Sequence, residues 1–139
     1  MIKIGITGSI SSGKTTASKI ISNKKGPLFS ADMAIKKLYK QNFLKKVIAK
    51  KLAFKFTSKF KINLKNKILN KKESFNKLEK IIHPLVRKEM FVFLKKNKNK
   101  KFLFLEIPLL VENKLSKHFD KIIFIKSNKK LRQKRYELM

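Results

Sequence analysis

Apolar residues follow two patterns along this chain. Four short runs are nearly continuous: Ile2-Lys3-Ile4-Gly5-Ile6, Leu28-Phe29-Ser30, Lys101-Phe102-Leu103-Phe104-Leu105 closing on Glu106, and Ile122 to Ile125. Runs of this length between turn signals predict buried strands. The intervening segments place apolar residues three and four apart, which predicts helices. One helix covers Thr15 to Ile21 and another Met33 to Tyr39, and helical spacing continues over Phe43 to Phe56 through Leu44, Val47, Ile48, Leu52 and Phe56. From Ser74 onward Leu78, Ile81, Ile82, Leu85 and Val86 share one side. Pro84 predicts a kink or junction there, with a separate helix over Leu85 to Lys96. Phe60 to Leu69 stays open between a short amphipathic helix and a loop, and Asn128 to Met139 starts a final helix. Lys24-Lys25-Gly26-Pro27 and Asn97-Lys98-Asn99-Lys100 read as turns.

Strands alternating with helices predict an α/β fold: a parallel sheet with helices on both faces and ligands at the carboxyl ends of the strands. Asp32 and Glu106 follow or close two of those strands, so both are expected to converge there. A chain of 139 residues with 42% hydrophobic content suits one folded domain. The absence of cysteine excludes disulfides and thiolate metal sites. No apolar stretch approaches membrane-spanning length and the chain opens directly on its first strand, so a soluble cytoplasmic protein is expected.

The formal charge of +29 raises nucleic acid as a partner. The excess is nearly all Lys, with three arginines at Arg87, Arg132 and Arg135, and it travels with abundant Asn, Ile and Phe. Residues with A/T-rich codons produce that composition without selection for nucleic-acid binding. Lys is also spread over nearly every polar face rather than gathered in one stripe. The charge is therefore discounted as a functional signal.

The sharpest chemical signal is Gly8-Ser9-Ile10-Ser11-Ser12-Gly13-Lys14-Thr15, a full G-x-x-x-x-G-K-[ST] loop between the first strand and the first helix. Glycine is scarce, four in the chain, so two at the required spacing before Lys-Thr carry weight. Such a loop turns successive backbone N–H groups toward phosphates, while Lys14 reaches the β and γ oxygens and the Thr15 hydroxyl ligates Mg²⁺. Gly8, Ser11, Ser12, Gly13, Lys14, Thr15 and Thr16 are the expected nucleotide-binding residues, with ATP or GTP as ligand. For Asp32 two roles stand together, a carboxylate aimed at the site and an N-cap for the helix from Met33.

Four segments occur in the order of one kinase family: Gly5-Ile6-Thr7-Gly8 running through Lys14-Thr15-Thr16, Ala31-Asp32, Ile82-His83-Pro84-Leu85-Val86-Arg87, and Pro108-Leu109-Leu110-Val111-Glu112-Asn113. The chain resembles dephospho-coenzyme A kinase from residue 1 to its end. That resemblance implies a P-loop NTPase-like sheet, its core over about 1–32 and 101–139, with a helical acceptor-binding insertion over about 33–100. It also implies transfer of the ATP γ-phosphoryl group, with Mg²⁺, to the 3′-hydroxyl of dephospho-coenzyme A, and Asp32 as the base. Lys14 joins Asp32 as the catalytic pair. Thr7, Asp32, His83, Arg87, Glu112 and Asn113 are the acceptor-side candidates. For His83 a place at a helix junction beside Pro84 stands equally, as does a structural cap for Asn113.

The chain departs from the family pattern at several points. Ser9 and Ser11 stand where glycine is usual, which negative φ would tolerate. Ser30 and Glu106 replace aspartates, and Lys61 stands roughly where an arginine is common. The family normally runs longer, so the lid and the C-terminal part with the adenine contacts are expected to be missing, Arg135 being the lid-side arginine retained. Two other readings remain: a related P-loop kinase for a nucleoside or nucleotide, and a basic nucleic-acid-binding relic without activity.

Overall fold

The computed structural model describes residues 1–9, 12–108 and 115–137. They form two compact units, Met1–Ala31 with Val92–Met139, and Asp32–Phe91.

The first unit is built on four parallel strands: β1 (Ile2–Gly8), β2 (Leu28–Ser30), β3 (Phe102–Glu106) and β4 (Lys121–Ile125), in the order β2-β3-β1-β4. β1 pairs with β3 from Ile2↔Phe102 to Ile6↔Glu106 and with β4 from Ile4↔Lys121 to Gly8↔Ile125. β2 pairs with β3 from Leu28↔Phe104 to Ser30↔Glu106. Leu103, Phe104, Leu105 and Glu106 are buried in succession. An interior parallel strand is covered on both faces, which explains its continuous apolar run. β4 lies at the sheet edge and leaves Ile122 and Phe124 38% and 55% exposed. Asp120 anchors its start, accepting from the Lys3 N–H at 2.7 Å and donating to the Lys3 carbonyl at 2.9 Å.

Helix α1 (Lys14–Ser22) packs on β1, β2 and β3. It buries hydroxyls where larger apolar groups are usual, Ser18 and Ser22. The Ser18 hydroxyl is satisfied within the helix, donating to the Lys14 carbonyl at 2.6 Å. Phe29 of β2 and Phe93 stack tilted, ring centres 5.5 Å apart.

The second unit is helical. α2 (Ala31–Leu38) begins in the first unit with Ala31; α3 (Asn42–Lys51), α4 (Phe60–Asn70) and the greater part of α5 (Lys72–Lys96) follow. Its core collects Leu38, Leu44, Ile48, Leu52, Phe60, Leu64, Leu78 and Ile82. Spacings of four within α3, α4 and α5 put these side chains on single stripes. Each fully buried Leu or Ile contributes about 1.5–3 kcal/mol.

Three boundaries differ from the sequence reading. Phe60–Asn70, left open above, is helix α4, because Phe60 and Leu64 reach the core at a spacing of four. The helix expected over Phe43 to Phe56 stops at Lys51, where Leu52 caps it and Ala53 takes a positive φ of 58°. Pro84 ends nothing, since α5 runs through it for 25 residues. Burial of Leu78 and Ile82 before the proline and Met90 after it keeps one helix face in use, which outweighs the lost N–H. The last helix, α6, covers Lys129–Glu137. Among the described residues no helix is long and apolar enough to cross a membrane.

Candidate active site

β1 delivers the chain to Gly8 at the carboxyl edge of the sheet, and α1 leaves from Lys14. Gly8 is required there by space: a Cβ would stand 2.5 Å from the Ile125 carbonyl oxygen and 2.7 Å from the Ser12 hydroxyl. Gly13 precedes α1 with φ 91°, a left-handed conformation that glycine adopts without strain. The Ser12 N–H donates to the Ser9 carbonyl at 3.1 Å, tightening the turn. Ser9 itself keeps a negative φ, so glycine is not needed at that position.

α1 starts with no acidic residue in its first turn and, among the described residues, no side chain capping it. The N–H groups that every helix leaves open at its start are therefore free for an anion, and the helix dipole favours one. Lys14 lies back over the loop, its Nζ donating to the Ser9 carbonyl at 3.3 Å. The Thr15 hydroxyl donates to Glu106 Oε1 at 2.9 Å. Glu106 is 1% exposed, and among the described residues its Oε2 has no hydrogen-bond partner, nor has the buried Ser12 hydroxyl. Thr7 is buried in the strand beneath, and Thr16 faces outward.

A buried carboxyl oxygen without a partner is costly unless a ligand completes it. Thr15 and Glu106 together form a donor set suited to Mg²⁺, which takes one or two carboxylates, phosphate oxygens and waters rather than an all-protein cage. Among the described residues, no group of three or more His, Cys, Asp or Glu side chains is placed to hold a metal ion by itself.

The second unit holds the remaining described candidates. Asp32 lies in the first turn of α2 and is exposed. The N-cap role expected for it is not realised, because α2 begins one residue earlier, at Ala31. Within the first turn its carboxylate still gains from the helix dipole. On α5, His83 Nε2 stands 4.0 Å from Glu79 Oε1, and Arg87 follows one turn later; both side chains face solvent. A continuous α5 removes the helix-junction reading of His83.

A family model described as dephospho-CoA kinase matches residues 2–137. The chain belongs to the dephospho-CoA kinase family. The dephospho-CoA kinase of Rickettsia typhi is 40% identical over 136 residues, which cover 97% of this chain and 70% of that protein. That of Zymomonas mobilis is 35% identical over 128 residues, 90% of this chain and 65% of the other. A crystal structure from Thermus thermophilus superposes with a TM-score of 0.78 at 25% identity, covering 99% of this chain and 71% of that one. A dephospho-CoA kinase structure from Campylobacter jejuni gives 0.56 at 22% identity over 98% and 94% of the chains, and shares the fold.

Of the family residues expected from sequence, Gly8, Ser12, Gly13, Lys14 and Thr15 come together in one loop with Thr7 beneath it. Ser11, Glu112 and Asn113 lie outside the described residues, as does most of the Pro-Leu-Leu-Val-Glu-Asn element. The sequence reading brings Glu106 to the carboxyl ends of the strands without assigning it a role. The signal for one was available: a lone carboxyl group closing an apolar strand has nothing apolar to do there.

Proposed function

We propose that this kinase-family chain transfers the γ-phosphoryl group of ATP to the ribose 3′-hydroxyl of dephospho-CoA, giving CoA and ADP, the final step of CoA biosynthesis. The observation that carries it is a phosphate loop with an open helix start, backed by the Thr15–Glu106 pair, in a chain whose family match runs over residues 2–137. The open N–H groups from Gly13 onward cradle the phosphates, with Gly8 and Ser12 shaping the loop and Ser11 and Thr16 as further nucleotide-binding residues. Lys14, released from the Ser9 carbonyl, neutralises charge on the β and γ oxygens. Thr15 and Glu106 would hold Mg²⁺, directly or through water; when bound, the ion supplies charge neutralisation across the transferring phosphates.

Asp32 is the base in this reading. It accepts the proton of the 3′-hydroxyl as that oxygen bonds to the γ-phosphorus and the bond to the β-phosphate oxygen breaks, leaving ADP. Arg87, with a planar fork suited to phosphate, and His83 hold the acceptor together with Thr7, Glu112 and Asn113. A cytoplasmic setting is part of this reading.

The test is CoA and ADP formation by purified protein with MgATP, with and without dephospho-CoA. Acceptor-dependent CoA formation is expected. Lys14→Ala should lower kcat/KM by at least about 10²-fold, and Asp32→Asn should lower kcat by about 10²–10⁴-fold with ATP binding retained. ATP binding without any CoA would overturn the acceptor assignment, and indifference to Lys14→Ala would overturn the phosphate-loop chemistry.

A further inference from the structure

Between Asp32 and Glu73 the chain carries fourteen lysines and no carboxylate. That stretch lies within the helical unit, where the start of α3, the loop after it and the start of α4 bound a groove of about 590 Å³. Lys45, Lys59 and Lys61 line the groove, and no acidic side chain does so among the described residues. Phe56 and Ile62 give it an apolar surface, and they are 36% and 61% exposed. Lys46 Nζ stands 5.9 Å from the Phe56 ring centre. Phe43 precedes Lys46 by three residues on α3, so it shares that helix face, and it is 80% exposed.

Phenylalanine has no polar edge to give water, so open rings at Phe43 and Phe56 add nothing to the fold. Beside ammonium groups and away from carboxylates they offer what a single nucleic-acid strand uses: faces on which bases stack and cations for the phosphates between them. A duplex hides its base faces. A bilayer favours apolar groups that protrude, whereas Phe56 is set in the wall of a groove. Asn42, Thr57 and Ser58 also line the groove; they are uncharged, exposed and able to bond a ribose 2′-hydroxyl. The charge of the whole chain carries no such implication, because Lys is spread over nearly every polar face. The combination here is local.

We propose that this groove binds single-stranded RNA, with Phe43 and Phe56 stacking on bases and Lys45, Lys46, Lys59 and Lys61 on phosphates. The site is separate from the proposed phosphoryl transfer. Neither Asp32, His83 nor Arg87 lines it, and the phosphate loop belongs to the other unit. Each phosphate that a lysine neutralises releases counterions from the strand, so affinity should fall with salt in proportion to the number of such contacts.

The experiment measures fluorescence anisotropy of a labelled oligouridylate of about twelve nucleotides, a length that one single-strand site can hold. The full chain is titrated between about 0.05 and 0.2 M NaCl. Wild type is compared with Phe43→Ala, Lys59→Gln and Lys96→Gln, the last an exposed lysine in the other unit. All three side chains are exposed, so the variants should fold, which circular dichroism checks. Four phosphate contacts predict a slope of about −3 in log K against log salt for wild type. Lys59→Gln should flatten it by about 0.7, and Phe43→Ala should weaken binding about tenfold with the slope unchanged. Lys96→Gln should alter neither, and saturating MgATP should not displace the strand. The deoxy strand of the same length should bind more weakly. No binding at the lowest salt, or equal losses in Lys59→Gln and Lys96→Gln, would overturn the groove in favour of diffuse charge. An unaffected Phe43→Ala would overturn the stacking. Displacement by MgATP would move the strand to the phosphate loop, and equal or tighter binding of the deoxy strand would overturn the choice of RNA. Retention on phosphatidylglycerol vesicles without RNA binding would make the face a lipid contact instead.

Discussion

Glu106 shows the opposition between stability and chemistry at a single residue. It is fully buried, donates nothing, accepts one hydrogen bond from Thr15 and leaves the other oxygen unsatisfied. Leaving such an atom unpaired costs about 1–3 kcal/mol, so the position is poorly filled for stability alone. A role in the loaded site would account for a carboxyl group at that position. Glu106→Gln keeps shape and an acceptor for Thr15 but removes the ionisable oxygen. Without ligand the variant should melt no lower than wild type, while kcat falls about 10–100-fold and half-saturation by Mg²⁺ moves to higher concentration. An unchanged Mg²⁺ dependence would remove Glu106 from the metal site. This pairing was not legible in the sequence, because 91 positions separate Thr15 from Glu106, and only the β1–β3 register with the packing of α1 on β3 brings them together. The loop itself was legible, since its residues are contiguous and its glycines answer to local space and φ.

Among the elements, α5 departs most from its sequence. Proline within a helix removes one N–H donor and crowds the preceding turn, at a cost of about 3 kcal/mol in an unsupported interior. α5 nonetheless continues past Pro84, with Leu78, Ile82 and Met90 buried along its length. Pro84→Ala restores a donor to the Lys80 carbonyl, and stability should rise by about 1–3 kcal/mol, read from the urea midpoint. A fall instead would mean that the proline ring supports packing that alanine cannot replace. The same competition explains what was and was not readable in the other elements. β1, β2, β3 and β4 were plain because apolar runs of strand length admit few alternatives. α4 was ambiguous because lysines interrupt its stripe at Lys61, Lys65 and Lys67, and only packing of Phe60 and Leu64 into the common core decides for helix. The apolar pattern overruns the end of α3 because Phe54 and Phe56 continue it after the backbone has turned at Ala53; their rings pack on Phe60 from outside that helix.

At the scale of the whole molecule, charge dominates. Thirty-seven Lys and Arg face eight Asp and Glu, and the ion pairs among the described residues are Lys77–Glu73 at 3.6 Å and His83–Glu79 at 4.0 Å, both exposed and within α5. Exposed pairs of this kind add little, and none ties one element to another. The folded chain therefore concentrates like charge that the unfolded chain spreads apart, and self-repulsion opposes folding. Screening relieves that opposition: the Debye length falls from about 30 Å at 0.01 M salt to about 8 Å at 0.15 M. Melting temperature should accordingly rise by several degrees between those two concentrations of NaCl, at fixed pH and without phosphate or nucleotide, which would add a binding contribution. A protein held together by its surface ion pairs would move the other way. A melting temperature that stays flat or falls would show that the lysines are far enough apart to be solvated independently, and that the +29 charge does not burden the fold.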